Sequence, residues 1–238
     1  MNNCYFITFA DSRYIKTLRR IEEEARRSEF FLGVYCFTEK NLDSLFIKKH
    51  GNFIENNKRG FGYFIWKPQV ILQIMSIIPE NSFLLYADAG CSIKKEGLNR
   101  FRNYIDIANQ NNVLSFFMRG MKECQWTKMD VLKRLNFISE EEVNSDQHIG
   151  TAHLWKKTNF SKEFLKHYLE ICEYYPNIDD SPSVSSNHPE FNEHRHDQSV
   201  FSILIKKNGI LTMPDETWWY PNWDNYTSYP IHATRIKF

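Results

Sequence analysis

A single carboxylate stands at the end of an apolar run. FLLYADAG (83–90) reads as a buried strand that delivers Asp88 to a sheet edge, where Ala89 and Gly90 leave room for a ligand to approach. An acid there serves as a metal ligand or as an acceptor for ribose and sugar hydroxyls; the same residue type also turns chains at strand ends. A hard divalent cation takes oxygen ligands, and a diphosphate supplies several, so few protein carboxylates are needed. RGFGYFIWKPQ (59–69) adds the complementary charge. Arg59 and Lys67 bracket two glycines and the flat faces of Tyr63, Phe64 and Trp66, which suits phosphate and base or sugar, although the segment lacks the GxxxxGK form of a phosphate loop.

Three further stretches hold reactive side chains. In EHRHDQSVF (193–201), Asp197 and Gln198 fall in the first turn of a helix, from which they reach sugar hydroxyls or, for Asp197, cap the helix. His188, His194 and His196 cluster nearby, but no partner motif at zinc spacing accompanies them. DQHIGTAHLWKK (146–157) contains Gly150 beside Thr151 and Ala152, small residues that let a ligand or a packed helix come close. His232 lies near Arg235 in an irregular, aromatic-rich tail.

These residues need elements to hold them. CYFITF (4–9), FLGVYCF (31–37), FLLYA (83–87), VLSFFM (113–118) and IGTAHLW (149–155) read as strands. Helical patterns follow at about 12–27, 41–50, 68–78, 97–109, 127–135, 161–175 and 197–207, the third with Pro68 in its first turn. Residues 177–195 read as a Ser/Pro/Asn-rich loop. Strand–helix alternation predicts an α/β fold with a mainly parallel sheet, whose strands present ligand chemistry at their carboxyl ends.

The bulk numbers bound the answer. The 238 residues suit one domain, with 42% apolar and 16% aromatic residues. Lys plus Arg number 30 against 29 Asp plus Glu, so no basic field points to nucleic acid. Mean hydropathy is −0.52, and the longest apolar runs fall well short of the ~18–20 residues of a membrane span. The opening MNNCYFITFADSRY reads as a first strand rather than a signal peptide. Five cysteines without CxxC spacing suit reduced thiols in a cytoplasmic protein.

Taken together, the motifs resemble the GT-A-type glycosyltransferases, from the first strand into HDQS. RGFGYFIWKP followed by LLYADAG is similar to segments of the form RGxGYxxWKP and DAG in bacterial and viral sugar transferases. The order DAG, glycine-containing strand, HDQS, late His parallels the glycogenin-like and lipopolysaccharide galactosyltransferases. The resemblance implies a Rossmann-like single domain, 1–238, with a nucleotide-binding half at 1–120 and an acceptor-side half plus irregular aromatic strap at 121–238. It implies that Asp88 stands at the first acid of a DxD, facing Mn²⁺ or Mg²⁺ and the ribose, with His232 as a second metal ligand. Asp197 and Gln198 match the DQ pair near the donor sugar, Gly150 the small residue of the preceding strand, and Thr8, Ala10 and Asp11 the loop that meets the base. Gly90 departs from the pattern, replacing the second acid.

The activity implied is transfer of a sugar from a nucleotide diphosphate donor, UDP-sugar favoured, to a hydroxyl acceptor in surface glycan, capsule or lipopolysaccharide synthesis. Arg59, Lys67 and a metal on Asp88 then hold the diphosphate, and Asp197 and Gln198 steady the donor sugar. The DQ similarity favours retention; in an inverting enzyme Asp197 is the general base. Trp218, Trp219 and Trp223, with Tyr226, form an acceptor platform or lid, or else a strap packed on the core. The acceptor is a glycan or lipid-linked, with peripheral contact at the inner face of the membrane as an option. Two rivals stay open. A nucleotidyltransferase opens with a glycine-rich basic loop after the first strand, and TFADSRY has no such glycines. A glycan-binding module suits the aromatics but has no need of a cation-flanked segment beside a strand-end acid.

Overall fold

The computed structural model describes residues 3–238. Its centre is a five-stranded sheet built from β1 (Cys4–Phe9), β2 (Gly33–Phe37), β3 (Phe83–Ala87), β5 (Val113–Leu114) and β8 (Ala152–Lys156), in the order β2-β1-β3-β8-β5. β1 runs parallel to β2 and β3, whereas β8 lies antiparallel to both β3 and β5. The sheet is therefore mainly parallel with one reversed strand, inserted from the second half of the chain. Strand patterning carries no direction, so the reversal of AHLWK is invisible in its sequence.

Alternation along the strands sends side chains to both faces, and both are covered. Ile7, Phe9, Leu84, Tyr86 and Trp155 face α3 (Trp66–Ile77), α5 (Asn159–Glu173) and α6 (His196–Lys207). Phe6, Phe83, Leu85, Ala87 and Leu154 face α1 (Ile15–Ser28) and α4 (Leu98–Asn111). α2 (Ser44–Asn56) closes the first face through Phe46 and Ile54. α3 begins two residues earlier than its apolar pattern predicts, with Pro68 still in the first turn, where a missing N–H costs nothing.

Two smaller sheets complete the frame. VLSFFM does not form one strand: Leu114 ends β5, and β6 (Phe116–Lys122) leaves for a sheet with β7 (Asp146–His148) and β9 (Met213–Pro214). The predicted strand 149–155 also breaks, with a bend at Gly150–Thr151 separating β7 from β8. The aromatic tail is more regular than its composition suggests, since β10 (Ile231–His232) pairs antiparallel with β4 (Ser92–Ile93), directly beyond the DAG turn. All five cysteines are free, and no helix among the described residues is long and apolar enough to cross a membrane.

Candidate functional site

β3 ends where the sequence places its acid. Residues two apart share a face of a strand, so Asp88 follows Tyr86 toward the α3 side, and the Tyr86 hydroxyl donates to Asp88 Oδ1 at 2.5 Å. The Asp88 N–H donates to the Thr151 carbonyl at 2.8 Å, and the Cys91 N–H returns to the Asp88 carbonyl at 2.9 Å, closing a tight turn. From α1, Arg20 clamps that turn, donating from Nη2 to the carbonyls of Ala89 and Cys91, each at 2.7 Å.

Behind Asp88 lies a buried charge cluster. Lys67, in the first turn of α3, points inward rather than to solvent. Its ammonium lies 2.8 Å from Asp197 Oδ2 and 3.8 Å from Asp88 Oδ1, and it donates to the Gly150 carbonyl at 2.9 Å. Burial works against the lysine charge, but the two carboxylates outweigh it and hold the Lys67 pKa above its ordinary value. Asp88 is pushed the other way: desolvation raises its pKa despite Lys67 and the Tyr86 hydroxyl. Asp197 also accepts from the Tyr168 hydroxyl at 2.9 Å. Gln198 uses both ends of its amide, accepting from Gly150 N–H at 3.0 Å and donating to Gln147 at 2.9 Å. A Cβ on Gly150 would lie 3.1 Å from Gln198 Cβ and 3.3 Å from the lysine nitrogen, so only glycine leaves this junction unstrained.

In front of Asp88 is a cavity of about 740 Å³, within the range of small-molecule sites. Its rim includes an unusual piece of backbone. Gly60, Phe61, Gly62, Tyr63 and Phe64 all have positive φ, from 52° to 82°, and Tyr63 and Phe64 donate to the carbonyls four residues back. The segment is one turn of left-handed helix, which costs each non-glycine residue about 1–2 kcal/mol. Strain of this kind persists where surrounding structure imposes it. Here Ile54 presses against Gly62, Phe9 stacks on Trp66 at 4.0 Å, and the Trp66 indole donates to the Gly60 carbonyl at 2.8 Å. The turn lays Phe61 and Phe64 along the cavity, which Ala10 and Asp11 also line.

Of the residues singled out in the sequence, Ala10, Asp11, Arg59, Asp88, Ala89 and Gly90 line this one cavity. Lys67, Gly150, Asp197 and Gln198 form the layer behind it, with Asp197 only 2% exposed. Lys67, read as a phosphate cation, is committed to Asp197 and Asp88. Asp197 and Gln198, read as facing the donor sugar, hold Lys67 and the Gly150 bend. Thr8 is fully buried in β1, away from the cavity wall. Trp219 stacks on Tyr226 at 4.1 Å and Trp223 meets Trp218 edge-on at 5.5 Å, so of the three tryptophans Trp218 alone is exposed, with the Arg235 guanidinium 4.6 Å from its ring centre. His194 and His196 bond the carbonyls of Asn177 and Ile178.

Three of the cavity's five cations, Arg13, Lys58 and Lys237, were not singled out in the sequence. Arg13, Lys58, Arg59, Arg235 and Lys237 line it, against the carboxylates of Asp11 and Asp88. Arg13 is bidentate on Asp11 at 2.8 and 2.9 Å, holding that carboxyl below the usual range although burial opposes this, and Arg59 leans on Asp180 at 3.2 Å. Among the described residues no carboxylate lies in ion-pair reach of Lys58, Arg235 or Lys237. Lys58 adjoins Arg59, and that adjacency was a readable signal; Lys237 reaches the site only because β10 folds back on β4.

The residues do not make up a divalent-cation site of their own. Asp88 is bound by the Tyr86 hydroxyl and shares its charge with Lys67, and Gly90 offers no second acid. His232 is fully buried, and its Nε2 bonds the Tyr226 carbonyl at 3.0 Å, while its Nδ1 is buried without a partner. It does not line the cavity. Among the described residues no group of three or more His, Cys, Asp or Glu side chains is arranged to hold a metal ion.

No family model and no curated protein sequence matches the chain. Solved structures do. A glycosyltransferase involved in the glycosylation of the major capsid of PBCV-1 superposes with a TM-score of 0.57 at 10% identity, over 97% of this chain and 92% of that one. An active-site mutant of LgtC superposes with a TM-score of 0.50 at 10% identity, over 98% of this chain and 84% of that one. These likenesses show the fold, which is that of GT-A glycosyltransferases.

Proposed function

We propose that this chain is a glycosyltransferase that moves a sugar from a nucleotide diphosphate donor to a hydroxyl acceptor. The observation that carries the reading is Asp88. It stands at the carboxyl end of a parallel strand in a GT-A-type fold, on the wall of a cavity with an excess of cations and an aromatic rim. In the reaction the acceptor hydroxyl oxygen bonds to the anomeric carbon, and the bond from that carbon to the diphosphate oxygen breaks with its electron pair. The hydroxyl proton passes to the departing diphosphate or to water. Cations on the cavity wall stabilise the charge that develops on the leaving group. Asp88 accepts hydroxyls of the donor, and its orientation is fixed by Tyr86 and Lys67. Asp197 is the buried counterion that holds Lys67 in place, and Gln198 fixes the bend at Gly150.

The finer reading follows the sequence resemblance: a UDP-sugar donor, a glycan or lipid-linked acceptor of surface polysaccharide synthesis, and a retaining outcome. Trp218, exposed beside Arg235, is the surface on which an acceptor sugar ring would stack. A hydrolysis screen over common nucleotide sugars, run on native protein and Asp88→Ala, tests the proposal. Turnover of one donor by the native chain and its loss in the variant is expected. Equal turnover in both removes Asp88 from its role, and a native chain that neither binds UDP, GDP or CMP nor hydrolyses any donor is not a transferase.

A further inference from the structure

Gly90 is the point at which this chain departs from a DxD pattern, and the space beside it is occupied. A Cβ built there would lie 3.3 Å from Arg235 Cα and 3.4 Å from the Ile236 carbonyl oxygen. The segment 233–237 is also bonded to it: the Ile236 N–H donates to the Gly90 carbonyl at 3.0 Å, and Thr234 Oγ1 donates to the same carbonyl at 2.9 Å. β10 anchors the segment on one side through its pairing with β4, and the Phe238 N–H, bonded to Thr17 Oγ1 at 2.9 Å, anchors it on the other. Arg235 takes a left-handed φ of 55° as the chain crosses Gly90. A side chain at position 90 and this strap compete for one volume. With glycine there, the strap docks and carries Arg235 and Lys237 onto the cavity wall.

We infer that the strap stands in for a divalent cation, so that the cavity binds the diphosphate of a nucleotide through Arg235, Lys237 and Lys58 without metal. This rests on the donor class named under the proposed function and specifies how it is held. Five cationic side chains face the cavity against two carboxylates, one of them already neutralised by Arg13. The excess matches an anion that brings its own charge, and a guanidinium and two ammonium groups donate hydrogen bonds to phosphate oxygens directly. The one acid free to bind a cation, Asp88, already has an ammonium 3.8 Å away.

Calorimetric titration of the full chain with UDP and GDP, in EDTA and then in Mn²⁺, decides the matter. Binding in EDTA is expected, with Mn²⁺ changing Kd by less than about threefold. Arg235→Gln and Lys237→Gln, both at exposed positions that the core does not need, should each weaken binding in EDTA about tenfold, the scale of one charge-assisted hydrogen bond, and their circular dichroism should match the native chain. Binding that requires Mn²⁺, or that both variants retain in full, overturns the inference and leaves the transferase reading intact. No binding in either buffer overturns the inference and, joined to a donor screen without turnover, the transferase reading as well.

Discussion

The Lys67 ammonium sits 2.8 Å from the Asp197 carboxylate, with each side chain only 3% exposed, directly behind the acid that faces the cavity. A pair this deep adds little net stability while whole, because desolvation offsets attraction, but it makes either partner costly to remove alone. Lys67→Met should therefore destabilise the fold by about 3–5 kcal/mol, read by urea unfolding. Lys67→Met combined with Asp197→Leu should cost clearly less than the two single changes added together. Additive costs would mean that the two side chains are not coupled.

The left-handed turn gives a backbone prediction. Gly62 has a φ of 82°, and a Cβ on it would lie 2.7 Å from Ile54 Cγ1. Gly62→Ala should cost about 2 kcal/mol or more, from conformation and overpacking together. It should also weaken nucleotide binding, since the turn carries Phe61 and Phe64 on the cavity rim. Gly51→Ala, where the nearest contact is an ordinary 3.7 Å, is the control.

Buried histidines, His148 and His194 among them, oppose folding in acid; burial holds His153 well below its ordinary value too. Burial depresses both His148, helped by the Lys206 charge, and His194, where it overrides the Asn177 carbonyl; both fall to about 3. Between that value and the ordinary histidine value the unfolded chain binds protons that the folded chain does not, so stability falls as pH drops through this window. By about pH 4 each histidine should account for roughly 3 kcal/mol. Urea midpoints measured from neutral to acid pH should decline below about pH 6.5, and His194→Gln should flatten the decline. An unchanged slope in that variant would assign the acid limit elsewhere.

The cavity's turn depends on a residue remote in sequence. Arg20 donates to the carbonyls of Ala89 and Cys91 and pairs with Glu24 at 2.9 Å. Arg20→Met keeps the aliphatic stem and removes those bonds. It should lower donor turnover at least about tenfold, since small displacements of a catalytic group are costly, while Kd for the nucleotide moves less. Equal losses in Kd and turnover would mean that the turn has collapsed.

How much of this was legible follows from which signals are local. The apolar run FLLYA and the acid behind it fix strand and strand end together, so Asp88 falls where its pattern puts it. Lys67 looked like a phosphate ligand because Arg59 and Gly60 stand close by in sequence. Only the direction of α3 and the approach of α6 reveal that it serves Asp197, and neither is written nearby. The left-handed turn was half visible in two glycines, but nothing about Phe61, Tyr63 or Phe64 announces a positive φ. The aromatic tail hid β10, because two residues paired to a two-residue strand leave no periodicity to read.

That left-handed turn also bears on how the rim opens. Phe61, Tyr63 and Phe64 together hold roughly 3–6 kcal/mol of conformational cost, offset by contacts from Phe9, Phe53, Ile54, Trp66 and His196. Those contacts come from β1, α2, α3 and α6, so the turn holds its strained shape only while these elements are packed around it, and it should be the first part of the rim to open. Amide hydrogens of Tyr63 and Phe64 should exchange well ahead of those of Leu84–Tyr86 in native conditions, and a bound nucleotide should slow them. The rim of the cavity is held in shape by what is packed beneath it.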